Sequence, residues 1–133
     1  MRPTPEQLAD MPLFESLSPE QLKAVASLSE LRHENKGTTL VGEGAPGYSL
    51  FVLQDGTAVV TSGGEQLATL GPGDFFGEIA LLDEGRRTAT VTATSPVSLI
   101  VMYGSDFRVF ERDFPDASAV MKRVMAERLA RTS

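Results

Sequence analysis

The 133-residue sequence contains no cysteine, which excludes disulfide cross-links, a thiol nucleophile and any thiolate metal site. It holds one histidine, His33, so a metal gripped by two or three imidazoles is excluded as well. Long apolar runs are missing. Leu50–Leu53 and Ile79–Leu82 fall far below the roughly 18 to 20 residues that a membrane-spanning helix requires. The first ten residues carry Arg2 but no apolar stretch behind it, which is not the pattern of a secretory signal; a cytoplasmic location is expected. An excess of positive charge is also lacking. Twelve basic against eighteen acidic residues give −6, which argues against a non-specific grip on nucleic acid or anionic lipid. Only residues 118–133 are basic, at +3 through Lys122, Arg123, Arg128 and Arg131 against Glu127, leaving −9 for the rest. Cations in that place favour the dipole at a helix C-terminus.

The remaining composition, 41% hydrophobic and 23% charged, is that of one globular domain able to bury about two-thirds of its unfolded surface. Ser18-Pro19-Glu20-Gln21 reads as an N-cap, a proline at the first helical position and a polar first turn, predicting a helix over 19–29. A shorter helical turn is expected near residues 5–10, with Leu13-Phe14 as an apolar link packing back on the body. From Glu30 the texture changes to short Val-, Thr-, Leu- and Phe-rich runs cut by glycines, which predicts strands. Asp55-Gly56 between the runs 49–54 and 57–62 predicts a two-residue hairpin, and Gly63-Gly64 a turn into a strand over 66–70. Further strands are expected at 30–35, 88–93 and 97–102, the last two separated by Thr94-Ser95-Pro96. After Gly104, Ser105 is the expected cap of a helix over 106–113, and Pro115 opens a last helix running to about Arg131. The fold class is mainly β: an antiparallel β-roll or jelly roll over 30–103, preceded by helices within 1–29 and followed by two helices within 105–131. In the last helix Ala117, Val120, Met121, Val124, Met125 and Leu129 share one stripe. It covers either the domain's own core or a lid or dimer face.

One insert interrupts the β texture. Gly73-Asp74-Phe75-Phe76-Gly77-Glu78-Ile79-Ala80-Leu81-Leu82 is followed by Arg86-Arg87-Thr88-Ala89-Thr90-Val91. A short helix entered through Gly77 would let backbone amides approach an anion closely. An arginine suits a phosphate because its planar fork offers parallel donors and keeps its charge. These two runs resemble the phosphate-binding cassette of the cyclic nucleotide-binding domain family, here spanning 76–91. Gly37, Glu43-Gly44, Leu50–Leu53, Gly56 and Gly71-Pro72-Gly73-Asp74 resemble the glycine-punctuated roll that leads into it in that family.

The resemblance implies cAMP or cGMP as ligand, with cAMP favoured, and no metal. It implies that Arg87 pairs with an exocyclic phosphate oxygen and that Glu78 accepts a hydrogen bond from the ribose 2′-hydroxyl. Gly77 with the amides of Glu78, Ile79 and Ala80 forms the phosphate cradle in this reading. Thr88, with Ala89 beside it, completes the set; its hydroxyl can serve the phosphate or a syn guanine, which permits cGMP without excluding cAMP. The residue that caps the base is not placed by the motif. Met121, Val124, Met125 and Arg128 are candidates by helical spacing, methionine being polarizable enough to stack on a base.

Three other functions compete. An enzyme on such a roll would need a histidine cluster, and His33 is expected instead to be a partly buried, hydrogen-bonded residue on the same side of its strand as Leu31, so catalysis by this chain is not expected. A DNA-reading regulator would carry a recognition helix after the long helix, and none follows in this sequence, so direct DNA binding is not expected. A ligand-free module would use the last helix to dock a second copy or an effector domain. The sensor reading places a cyclic nucleotide at the cassette and has the two C-terminal helices swing in over the base.

Overall fold

Thr4-Pro5-Glu6-Gln7-Leu8 and Ser18-Pro19-Glu20-Gln21-Leu22 repeat one pattern, and each opens a helix in the same way. The computed structural model describes residues 1–42, 49–76 and 89–132, with side chains to Glu127. In α1 (Pro5–Ala9) the Thr4 hydroxyl accepts from the Gln7 amide while the Gln7 side chain accepts from the Thr4 amide at 2.8 Å. In α2 (Pro19–Leu28) Ser18 and Gln21 make the same reciprocal pair. Two otherwise orphaned donors are thereby satisfied at each start, and proline at the first position loses no bond. A 3₁₀ turn, Pro12–Phe14, joins the two helices and buries Leu13 and Phe14.

Eight strands follow among the described residues: β1 (Glu30–Glu34), β2 (Thr39–Val41), β3 (Ser49–Asp55), β4 (Ala58–Ser62), β5 (Glu65–Leu70), β6 (Phe75–Phe76), β7 (Thr90–Ala93) and β8 (Val97–Tyr103). Then come α3 (Gly104–Asp113) and α4 (Pro115–Thr132). The strands form two antiparallel sheets in the orders β1-β8-β3-β6 and β2-β7-β4-β5. Each strand thus pairs with its mirror in the chain, β4 with β5, β3 with β6, β2 with β7 and β1 with β8. The roll is one long hairpin wound on itself. Its tip is Gly63-Gly64, where φ values of +59° and +82° require residues without a Cβ penalty.

The first sheet separates two cores. In β3, Leu50 and Val52 face the helices while Phe51 and Leu53 face the roll interior; in β8, Ile100 and Met102 face the helices while Val97, Leu99 and Val101 face the interior. A sheet buried on both faces explains why these two strands are continuous apolar runs in the sequence. The helix layer adds Leu8, Met11, Leu13, Phe14, Val25, Phe107, Phe110, Ala117, Met121 and Met125. Of the expected α4 stripe, Ala117, Met121 and Met125 with Val124 beside them therefore serve the domain's own core, while the Leu129 side chain lies outside the described residues.

Three local expectations differ from the structure. Asp55-Gly56 is no hairpin, because β3 and β4 belong to different sheets; it is a corner where the chain passes from one layer to the other. Gly56 has φ +90°, and a Cβ there would lie 2.3 Å from the Pro96 carbonyl oxygen. Ser105 is not the cap of α3, which begins one residue earlier, with extended Tyr103 at the N-cap position and no side-chain cap bond. His33 is exposed rather than partly buried, because β1 is an edge strand. Its ring Nδ1 lies 3.0 Å from the Ser98 hydroxyl on the neighbouring strand.

Candidate functional site

The winding of the roll sorts its connections between two ends. The segments 35–38, 56–57, 71–74 and 94–96 link the sheets at one end. Hydrogen bonds knit that end together. The Gly37 amide donates to the Ala93 carbonyl at 2.8 Å and the Ala93 amide to Thr38 at 2.9 Å. The Thr94 amide donates to the Thr57 carbonyl at 2.9 Å, and the Thr57 and Thr94 hydroxyls lie 2.7 Å apart. The Gly71 amide donates to the Asp74 carboxylate at 2.8 Å, fixing the turn that leads into β6.

At the opposite end the chain leaves β2 after Val41 and enters β3 at Ser49, and leaves β6 after Phe76 and enters β7 at Thr90. Val41 pairs with Val91, and Phe51 with Phe76, so the described flanks of both connections lie at this one end. Gly77, Glu78, Ile79, Ala80, Arg87 and Thr88 lie outside the described residues, as do Glu43-Gly44. Ala89 is half-buried immediately before β7. What the structure describes of the site is therefore its frame.

The entry side of that frame is firmly held. The Leu53 amide donates to the Asp74 carbonyl at 2.8 Å and the Gly73 amide to the Leu53 carbonyl at 2.7 Å, continuing the β3–β6 ladder backwards. The rings of Phe51 and Phe76 stack inside the roll, with centroids 5.1 Å apart and planes 4° from parallel. The sequence carries a signal for this pair only in retrospect: two phenylalanines, each beside a glycine-rich connection. On the exit side, β7 is held on both edges, with Thr92 opposite Thr39 and Val59, and Val91 opposite Val60.

The four base-capping candidates are distributed unequally. Met121 and Met125 are fully buried in the helix layer, and Val124 is half-buried against it. The Arg128 side chain lies outside the described residues. With α4 seated in this way, neither methionine faces an open site. Lys122 bridges α4 to α3 through an ion pair with Glu111 and sits 5.9 Å from the Phe107 ring centroid. Among the described residues no three His, Asp or Glu side chains gather as a metal site, and no helix is long and apolar enough to cross a membrane.

Comparison with known proteins adds three likenesses and one family. The profile of the cyclic nucleotide-binding domain matches residues 31–113. Glutaminase 2 of Bradyrhizobium diazoefficiens is 37% identical over 125 residues, covering 93% of this chain and 20% of that protein. The cAMP-dependent protein kinase regulatory subunit of Hypocrea atroviridis is 35% identical over 101 residues, covering 76% of this chain and 22% of that protein. Among solved structures, the Thermus thermophilus catabolite activator protein matches with a TM-score of 0.81 at 31% identity, covering 90% of this chain and 59% of that one. The chain thus spans about a fifth of the length of the two curated relatives.

Proposed function

Because the chain belongs to the cyclic nucleotide-binding domain family, we propose that it is a regulatory sensor that binds a cyclic nucleotide monophosphate, cAMP in preference to cGMP, and relays occupancy through α3 and α4. The observation that carries this reading is the order Gly77, Glu78, Arg87 between strands of a roll whose fold is that of the family. The donor set fits the ligand chemically. A carboxylate only accepts, and cyclisation leaves the 2′-hydroxyl as the sole ribose hydroxyl donor, which matches Glu78. Arg87 offers a charged fork to an exocyclic phosphate oxygen. Gly77 with the amides of Glu78, Ile79 and Ala80 supplies neutral donors to the same phosphate, and Thr88 and Ala89 complete the proposed set. The preference for cAMP is supported by the relative named for cAMP dependence.

A ligand moves helices only through the difference in its affinity for the two arrangements. Here the arrangement described has Met121 and Met125 in the core, so either could cap a base only after α4 leaves its seat. Val124, half-buried at the edge of that layer, is the described candidate that needs the smaller movement, and Arg128 stays a candidate by sequence alone. In this reading the chain is non-catalytic, cytoplasmic and has no direct contact with DNA. The relative named Glutaminase 2 is matched over 20% of its length, and in this reading the activity in that name is not carried by the matched part. α4 is the element that would meet an effector or a second copy.

Isothermal titration with cAMP and with cGMP, run beside Arg87→Ala, tests the reading. Loss of a charge-assisted partner at a buried site should weaken binding about 30-fold to several thousand-fold. Absence of binding by either nucleotide to the unaltered chain would overturn the proposal and leave a domain that serves as a protein-docking module.

A further inference from the structure

β1 ends the first sheet, and one side of it stays open. The Leu31 amide donates to the Met1 carbonyl at 2.7 Å rather than to β8, so Leu31 turns its backbone groups away from the sheet. In an antiparallel ladder that orientation recurs at every second residue, which gives His33 the same outward amide and carbonyl. Arg2 keeps Met1 in place by donating to the Ser27 and Ser29 carbonyls at the end of α2. Among the described residues no other backbone group reaches β1 from this side.

Open edges are commonly blunted by charge, and on β1 the charges alternate in sign. Glu30, Arg32 and Glu34 are half-buried on one face of the strand, and exposed Lys36 follows in the turn. The four sum to zero on a chain of −6. When two antiparallel copies meet about His33, Arg32 falls opposite Glu34 of the second copy and Glu30 opposite its Lys36, so every pair is of opposite sign and occurs twice. Moving the centre one residue, to Arg32, sets Glu30 against Glu34 and Arg32 against itself, which is repulsive throughout. Within one copy neither Arg32 nor Glu34 has an ion-pair partner among the described residues, and the Glu30 carboxylate accepts only from the Tyr103 hydroxyl, at 3.5 Å.

We propose that β1 is a self-recognition edge: a second copy of this chain pairs with it antiparallel through exchange of the His33 amides and carbonyls, in the register chosen by the Arg32–Glu34 and Glu30–Lys36 pairs. The first sheets of the two copies then become one. The open stretch is short, because Met1 closes it at Leu31 and the strand ends at Glu34. The contact therefore falls below the roughly 1,000 Å² of a stable complex, and the dimer is weak. β5, an edge of the second sheet, is longer but carries one charge, Glu65, and offers no such register. The pairing uses no residue of α4 or of the proposed nucleotide site, so it stands or falls apart from the sensor reading.

Sedimentation velocity of the full chain over a concentration series, at about 50 mM salt so that the pairs are little screened, tests the proposal. It should show a monomer–dimer equilibrium with a Kd on the order of 0.1 mM. Arg32→Glu sets like charges opposite each other twice and should weaken the dimer about tenfold or more. Adding Glu34→Arg to that variant restores opposite signs at both pairs and should return the affinity to within about threefold, a rescue that a role in folding alone would not give. Should Arg32→Glu fail to fold, Glu34→Lys creates the same like-charge opposition. His33→Cys, in a chain that has no cysteine, should cross-link under mild oxidation, since a hydrogen-bonded pair spaces its Cα atoms by about 5.5 Å, within the reach of a disulfide. A chain still monomeric at about 1 mM, a dimer indifferent to the charge reversals, or a dimer whose His33→Cys form fails to cross-link overturns the proposal. In the last two cases the dimer belongs to another surface, α4 first among them.

Discussion

The two cores on either side of the first sheet are built from different materials. The roll interior holds Phe, Leu, Val and Ala and no methionine, whereas the helix layer holds Met11, Met102, Met121 and Met125, four of the five in the chain. Valine and stacked phenylalanine have few rotamers, and the interior is bounded on both sides by strand ladders. The helix layer has a ladder on one side only, and its unbranched thioethers can repack when a neighbour moves. The relay proposed above, with a ligand frame held still while one helix changes its seat, would be served by such a division. By composition, the layer of α4 is the one better able to repack, and the space between the sheets the less able.

Changes on the two sides should differ in cost, and the largest effect belongs to the roll. Gly56→Ala should destabilise by at least about 3 kcal/mol in denaturant unfolding, since the position combines φ +90° with a carbonyl oxygen 2.3 Å from the added carbon. Truncation then compares the cores directly. Leu53→Ala should cost about 4 to 5 kcal/mol and Met125→Ala about 2 to 3, although both side chains are fully buried, because the methionine-lined layer collapses better around a void. Equal costs would mean that the two cores pack with the same rigidity. The smallest effect is expected at the α3–α4 bridge. Lys122 and Glu111 are each more than a third exposed, so Lys122→Met should change stability by at most about 0.5 kcal/mol after solvent screening. A larger loss would mean that polar contacts, rather than packing, seat α4.

Much of this architecture was legible because its signals are local. Ser18-Pro19-Glu20-Gln21 specifies a helix start by its own hydrogen bonds, and Gly63-Gly64 specifies the tip of the roll. Asp55-Gly56 misled for the same reason. Turn chemistry reports that the chain reverses or bends, but only the pairing of β3 with β8 and β6 decides that it changes sheets there. His33 follows the same logic: alternation placed it correctly on the side of Leu31, and the edge position of β1, a long-range fact, left it in solvent. The site was legible as a motif and not as geometry. Glu78 and Arg87 gain meaning from their order and spacing beside a resemblance to a known family, while the Phe51–Phe76 clasp joins residues 25 positions apart and has no local signature.

In the proposed sensor a cyclic nucleotide acts on the helix layer while the roll stays fixed. Backbone hydrogen exchange of the full chain, with and without saturating cAMP, tests it most directly. Protection is expected to change across residues 115–132 and to stay unchanged in β3 and β8. Identical exchange in α4 with ligand demonstrably bound would contradict it.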